Sequence, residues 1–256
     1  MFLKKFILIF LLLISTDVCA DDMYDPIEPW NRSVFSFNET MDAYLALPVA
    51  KGYDFITPKP IQTGFKNFFS NLRYPQYLVS DLLQLDFSGL ASHTYRLIVN
   101  STIGLAGFID VAKETGVKHK KADFGLALAR MGVDSGPYIV IPFLGPSNLR
   151  DSIGLAVDSA LYPPFWIGST NKVDWQTAWA ISSGVTVLEF INTRSSLIET
   201  IDTAKKSSLD YYLFMQSAYG QYRNGIILGE DSENLFAKDK ELIEDNDFED
   251  DDPFSE

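Results

Sequence analysis

The stretch Asp25-Pro26-Ile27-Glu28-Pro29-Trp30-Asn31-Arg32-Ser33-Val34-Phe35-Ser36-Phe37-Asn38 joins an acidic, proline-stiffened segment to the first turns of a helix. Proline is tolerated at such a start because the first turn of a helix offers no partner for its missing N–H. Three polar side chains, Asn31, Arg32 and Asn38, stand among the aromatic residues of this helix. Such a mixture suits a surface that contacts both the acyl chains and the headgroups of a lipid.

Residues 1–20 have the three parts of an export signal. Lys4 and Lys5 supply the positive charge, the nine residues 6–14 are apolar, and residues 15–20 form a polar cleavage region. Nine apolar residues are far fewer than the roughly 20 that a membrane-spanning helix needs, so we expect this segment to be a cleaved signal peptide.

Cys19 is the only cysteine of the chain and allows two processing routes. A lipoprotein signal has small residues just before its cysteine, and Asp17 and Val18 fit that pattern poorly. Val18-Cys19-Ala20 fits the small-x-small pattern of ordinary cleavage, which would leave Asp21 as the first residue. We expect that route, and an acylated Cys19 stays as the alternative. Cleavage after Ala20 would leave no thiol for a disulfide, a nucleophile or a metal.

The acidity of the chain is concentrated at its C-terminal end. Residues 229–256 contain 13 Asp and Glu against Lys238 and Lys240, a net charge of −11, while the whole chain has −13. This segment is poor in apolar residues, so we predict a disordered acidic tail. Residues 21–228 are long enough for one domain with its own core. They show no dense basic face, which argues against nucleic acid as a partner.

The body of the chain is predicted to be all-α. Glycine and proline interrupt it often, as is typical of short helices with tight connections. In residues 86–101, Phe87, Tyr95 and Ile98 recur at helical spacing and mark one apolar face, with His93 on the polar face. The predicted helices run over about 29–45 (ending before Pro48), from Pro60 through Leu72, over 86–101, over 171–194, and onward from a capping box at Ser207-Ser208-Leu209-Asp210.

Residues 136–145, Gly-Pro-Tyr-Ile-Val-Ile-Pro-Phe-Leu-Gly, interrupt the helical pattern. Pro137 and Pro142 each remove a backbone donor, which excludes a regular helix. The segment is predicted to be an extended apolar loop or a short hairpin. It is either a buried connector or a mobile gate that turns on Gly136 and Gly145.

The sequence shows no sign of a catalytic site, a metal site or a cofactor. His93 and His119 lack metal-ligand spacing, and His119 lies in a lysine-rich loop that we expect to be solvated. Asp123-Phe124-Gly125 is interpreted as a helix start. Asp25 with Glu28, or Asp151 with Asp158, could form an acid–base pair, but we expect ordinary surface carboxylates, because these are common in proteins.

Several further motifs, in order along the chain, resemble the bacterial VacJ/MlaA family over about residues 24–225. Besides the opening stretch, they are Asn67-Phe68-Phe69-Ser70-Asn71-Leu72 with Pro75, Arg96 with Asn100-Ser101-Thr102-Ile103-Gly104, Gly104 to Ala112, Asp123-Phe124-Gly125, Gly136-Pro137-Tyr138, Arg150-Asp151 with Gly154 and Asp158, Tyr162-Pro163, and Asp210-Tyr211 with Ala218-Tyr219. The linked motifs make this resemblance more specific than any single short pattern.

The resemblance implies an all-helical, ring-like bundle of amphipathic helices with a central amphipathic channel, lying in the inner leaflet of the outer membrane. It implies removal of mislocalised phospholipid from the outer leaflet, passage to a periplasmic carrier protein, and association with a trimeric porin. The chain departs from the family in its poor lipoprotein signal and in its acidic extension.

Two sets of side chains follow as expectations. The lipid path is expected to involve Asn31, Arg32, Asn38, Gly136, Tyr138, Gly145, Arg150 and Asp151. An aromatic membrane belt is expected from Trp30, Phe35, Phe37, Phe65, Phe68, Phe69, Trp166, Trp175 and Trp179, although the same residues suit an ordinary core. The alternatives to transport are a periplasmic phospholipase acting on the same lipid and a non-catalytic periplasmic scaffold.

Overall fold

The computed structural model describes residues 23–164, 166 and 174–229, most of which are helical. The predicted signal peptide (1–20) and all but the first residue of the predicted acidic tail (229–256) lie outside this range. The elements are α1 (Glu28–Met41), a π-helical turn (Asp42–Ala46), α2 (Leu47–Ile56), α3 (Lys59–Gln84), α4 (Phe87–Thr102), α5 (Val111–Glu114), α6 (Phe124–Arg130), β1 (Tyr138–Ile141), β2 (Gly145–Asn148), α7 (Leu149–Leu161), α8 (Trp175–Ser196), α9 (Ile198–Ser207) and α10 (Tyr211–Leu228).

The sequence predicted that the first helix ends before Pro48, but the structure shows no end there. The helix continues through the π-helical turn into α2, and Pro48 falls in the first turn of α2. The wider π turn shifts the hydrogen-bond register, so that the missing N–H of Pro48 costs little. The prediction was wrong because Pro48 was interpreted as the end of a helix, whereas it lies in the first turn of the next helical segment.

The later helices are largely where the sequence placed them, with two differences at their ends. α3 runs on past Leu72 to Gln84 and keeps Pro75 in its interior. α10 is not capped by Ser207, which is the last residue of α9. The carboxylate of Asp210 instead accepts hydrogen bonds from the backbone N–H groups of residues 212 and 213. An Asp cap also stabilises the positive end of the helix dipole.

The proline-rich segment forms a hairpin, one of its two predicted forms. β1 and β2 pair antiparallel, with Tyr138 opposite Asn148 and Ile141 opposite Gly145. Gly145 has φ +89°, in the left-handed region that favours glycine. β1 contributes Tyr138 and Val140 to a small apolar core shared with α1 and α10.

The helices contact one another in a closed circuit. In order of contact, α2 meets α8, α8 meets α3, α3 meets α6, α6 meets α10, α10 meets α9, and α9 returns to α2. The hairpin joins this circuit through the contact of β2 with α10, and β1 contacts α1. Within the described part of the chain, no helix is both long and apolar enough to cross a membrane.

Candidate functional site

α4 presents its apolar side to the outside and its polar side to the inside. Phe87 and Ile98, on the predicted apolar face, are 70% and 58% exposed. His93 and Arg96, on the polar face, are 0% and 3% exposed. The predicted face exists, but its orientation is the reverse of that in a water-soluble domain.

The same reversal holds for the described residues as a whole. Their buried side chains comprise 16 polar or charged residues and 13 apolar ones. In a water-soluble protein, by contrast, Ile, Val, Leu and Phe dominate the buried set. Large apolar side chains remain outside along many elements, among them Tyr44, Phe55, Ile56, Leu85, Ile103, Leu105, Leu144 and Leu228.

The buried polar side of α4 is satisfied by specific partners. Arg96 donates from Nε to the Tyr74 hydroxyl (2.7 Å) and from Nη2 to Asp110 (2.5 Å). His93 places Nδ1 2.6 Å from a carboxylate oxygen of Asp81. These bonds meet the condition for burying polar groups, which is that each finds a partner.

The sequence predicted that His119 lies in a solvated loop, and this prediction was wrong. The ring of His119 packs against Tyr74, Tyr77 and His93, with centroids 5.8–6.2 Å away. Burial, followed by the nearby Arg96, lowers the pKa of His119 to about 4. The ring is therefore neutral at physiological pH, although lysines flank it in sequence.

Two asparagines of α1 hold the hairpin. Asn31 accepts a hydrogen bond from the N–H of Val140 (2.9 Å) and donates to the carbonyl of Tyr138 (3.0 Å) and to Asp25 (2.7 Å). Asn38, two turns further on, accepts from the N–H of residue 143 (2.8 Å) and donates to the carbonyl of residue 141 (3.0 Å). Both side-chain amides thus act as extra strand partners for β1 and its turn.

The remaining predicted path residues lie in the hairpin or in a charge cluster, except for Arg32, which lies apart from both. Gly136 (φ +66°) precedes β1, and Gly145 begins β2. Asn31 and Tyr138 are both fully buried and offer no surface to a lipid. Arg32 lies apart from the hairpin, is partly exposed, and pairs with Glu28 (2.7 Å) and Asp210 (2.9 Å).

Arg150 and Asp151 belong to a buried cluster where α6, α7 and α10 meet. Asp151 accepts hydrogen bonds from Arg150 (3.0 Å), Tyr219 (2.7 Å) and Arg223 (3.0 Å). Burial works against the charge of Asp151, but the two arginines outweigh it and lower its pKa. Arg223 also binds Asp123, the cap of α6, at 2.8 Å. Arg223 is not among the residues predicted from the sequence, because nothing in its neighbourhood along α10 marks it as a member of a charge cluster.

The predicted belt residues have three different environments. Phe69 is only 4% exposed and belongs to the interior, where it packs against Phe65 and Phe68. For Phe69 the belt prediction was wrong, since periodicity does not separate an inner from an outer face. Phe35, Phe65 and Phe68 are half-buried. The exposed members are Trp30, Phe37, Trp166, Trp175 and Trp179.

A family model described as MlaA lipoprotein matches residues 23–225. The chain is 35% identical to "Intermembrane phospholipid transport system lipoprotein MlaA" of Escherichia coli K12, covering 80% of this chain and 79% of the relative. It is 30% identical to the protein of that name from Haemophilus influenzae, covering 76% of each. An uncharacterized protein of Rickettsia felis is 32% identical over 80% of this chain and 79% of its own.

A solved structure described as "Structural basis for maintenance of bacterial outer membrane lipid asymmetry" is similar in fold. Its TM-score is 0.64 at 33% sequence identity, covering 79% of this chain and 98% of that chain. The resemblance drawn from the motifs is thereby confirmed over most of the body. Because the family model spans nearly every described residue, this chain belongs to the MlaA lipoprotein family.

Proposed function

We propose that this protein is the outer-membrane component of a phospholipid transport system. It removes mislocalised phospholipid from the outer leaflet and passes it to a periplasmic carrier, which maintains lipid asymmetry. One observation carries the proposal: the described domain exposes large apolar side chains while it buries polar ones. The relatives named for intermembrane phospholipid transport support it.

The exposed apolar surface suits a body that lies within one leaflet. Helices in such a position keep their apolar side chains among the acyl chains, and Trp residues favour the boundary with the headgroups. Trp30, Trp175 and Trp179 are exposed and available for this role. Each large side chain transferred from water into lipid contributes about 1.5–3 kcal/mol, so several together hold the body in the membrane.

The polar interior suits the passage of a charged headgroup. An isolated charge in a low-dielectric region is expensive, so a lipid path needs paired charges and amides along it. Buried amides and charged groups of this kind lie on several of the described helices, including α3, α4 and α8. Among the residues singled out in the sequence, Arg32 and Asn38 keep exposed surface and are proposed to contact headgroups. Asn31 and Tyr138 instead fix the hairpin.

We further propose that the chain is exported, cleaved after Ala20, and held at the periplasmic side of the outer membrane. The family description as a lipoprotein favours the alternative form, in which cleavage occurs before Cys19 and that residue carries an acyl group. The intact mass of the mature chain distinguishes these forms, because only one of them begins with an acylated cysteine. A trimeric porin in the membrane and a soluble lipid carrier are the proposed partners.

The proposed transport needs no covalent step, since lipid moves along a gradient of affinity. The test is the lipid composition of the outer leaflet in cells without the protein. We expect more phosphatidylethanolamine to react with an impermeant amine reagent, together with greater detergent sensitivity, and both should revert on complementation. If neither changes, transport is excluded. Release of lysolipid or fatty acid by the purified protein would instead favour the phospholipase.

A further inference from the structure

Residues 113–121 form a basic edge on a chain that is otherwise acidic. This edge has four exposed lysines against one exposed acid, Glu114. His119 adds no charge at neutral pH, because its pKa is lowered to about 4 by burial. The lysines of the basic edge are Lys113, Lys118, Lys120 and Lys121.

Two buried side chains of α4 hold the backbone of the basic edge by hydrogen bonds to its carbonyl groups. Arg96 donates from Nη1 to the carbonyl of Val117, and His93 places Nε2 2.9 Å from the carbonyl of Lys120. Because Arg96 and His93 are both buried, they hold the edge rigidly against the body. The ring of His119 turns inward, while the lysine side chains on either side of it remain outside.

The basic edge adjoins the end of the described chain. The ammonium of Lys121 contacts the Tyr222 hydroxyl and lies 5.0 Å from the ring centroid. Leu228 is the last residue of α10 and follows Tyr222 by six residues. The distance between these two residues along the helix axis is about 9 Å. Gly229 then ends the helix with φ +83°. The following segment therefore starts on the order of 10 Å along the axis from Lys121.

Residues 230–256 carry a net negative charge, opposite to that of the basic edge. They contain 13 Asp and Glu and two Lys, a net of −11. An extended chain of this length spans up to about 90 Å, at about 3.3 Å per residue, so it easily reaches the whole edge. Tethering also gives the segment a high effective concentration at the edge, which lets individually weak exposed pairs act together.

We propose that residues 230–256 dock on the basic edge of their own chain and cover it against anionic lipid headgroups. A membrane surface carrying anionic lipid is the competing occupant. The chain's own segment is favoured because it is tethered beside the edge, and its charge repels a second anion. The cover is reversible, since exposed ion pairs are screened over about 8–10 Å by physiological salt.

The test uses the full-length chain in mild detergent and measures how fast each lysine is acetylated. We compare it with a full-length variant whose tail is partly neutralised (E244Q, D245N, D247N, E249Q, D250N, D251N and D252N). Lys113 and Lys120 should react severalfold more slowly in the native chain at low salt. That protection should vanish in the variant and at high salt. Lys51 and Lys66, exposed on α2 and α3, are the matched controls and should not change.

A second measurement separates the two occupants. The neutralised variant should bind vesicles containing phosphatidylglycerol more tightly than the native chain does, with no difference on pure phosphatidylcholine. Equal acetylation of Lys113 and Lys120 in both chains would overturn the proposal. So would protection that arises only on phosphatidylglycerol vesicles and does not depend on the tail charge, because lipid would then occupy the edge.

Discussion

At the scale of single residues, Asn31 shows how one amide replaces several backbone partners. Its side chain is fully buried and bonds both the N–H of Val140 and the carbonyl of Tyr138. Removing the amide would leave both backbone groups buried and unsatisfied, and each costs about 1–3 kcal/mol.

We therefore expect Asn31→Ala to lower the free energy of unfolding by about 2–4 kcal/mol. Ser33→Ala is the matched control, since Ser33 lies on the same helix and bonds only the carbonyl of Pro29. Thermal unfolding in mild detergent measures both variants. A loss of stability no larger for Asn31→Ala than for Ser33→Ala would mean that the hairpin is held by its other contacts.

Asp158 gives the fold a pH dependence of predictable sign. Burial raises the pKa of its carboxyl to about 6, although a bond from the N–H of Phe124 opposes this. A raised carboxyl pKa favours folding at low pH, and that contribution is lost as the pH rises through about 6. His119 acts in the opposite direction, because its lowered pKa costs stability as the pH falls below about 6.5.

We expect Asp158→Asn to stabilise the protein by about 1–2 kcal/mol near pH 7.5 and progressively less toward pH 4. The amide oxygen keeps an acceptor for Phe124 without burying a charge. Comparing variant and native chain at the same pH cancels the effect of His119. Asp123→Asn serves as the contrast, since it weakens the pair with Arg223 and should destabilise at neutral pH. A gain independent of pH would contradict the raised pKa.

At the scale of elements, α4 shows what a periodic pattern predicts and what it leaves open. The spacing of Phe87, Tyr95 and Ile98 correctly predicted a helix with one apolar face. It did not predict that this face points outward, because periodicity says which residues share a face and not which medium that face meets. The buried run His93, Arg96 and Asn100 recurs at the same spacing, and this polar stripe was the available signal.

The outward face of α4 leads to a prediction about membrane binding. Ile98 and Ile103 are exposed and lie at its C-terminal end. Replacing both by glutamate removes apolar burial worth about 1.5–3 kcal/mol each and adds charge, so vesicle binding should weaken by about tenfold or more. The thermal stability in detergent should change little. Thr203→Glu, on the exposed side of α9, is the control; equal weakening there would show a general charge effect.

Other elements were open to prediction to different degrees. Pro137 and Pro142 excluded a helix, and a hairpin was one of the two forms foreseen. The helical segment that has Pro48 in its first turn was not predicted, because the preceding π-helical turn has no short sequence signature. Ser207 resembled a helix cap in spacing, yet Asp210 took that role, because several candidate caps in one linker differ only in tertiary context.

At the scale of the whole molecule, charge pairs fasten the circuit of helices at several points. Arg194 on α8 binds Asp42 in the π-helical turn at 2.6 Å, and Arg73 on α3 binds Glu189 on α8 at 2.6 Å. Arg223 on α10 joins α6 and α7 by binding Asp123 and Asp151. Since these partners are far apart in sequence, a single sequence gives no means of pairing them. The closed circuit was therefore expected from the family resemblance alone.

Of these three arginines, Arg223 is predicted to matter most for the circuit, because it binds carboxylates of two residues, Asp123 and Asp151. Its side chain is 11% exposed, whereas that of Arg32, which serves as the contrast, is 39% exposed. Arg223→Gln leaves the buried carboxylate of Asp151 and the partly buried one of Asp123 without their main counter-charge. Breaking a buried ion pair costs about 3–5 kcal/mol. Arg32→Gln, which removes two exposed ion pairs, should cost less than about 1 kcal/mol. Thermal unfolding of both variants in the same detergent measures the difference. Similar losses for the two would show that solvent reaches the Arg223 cluster where α6, α7 and α10 meet.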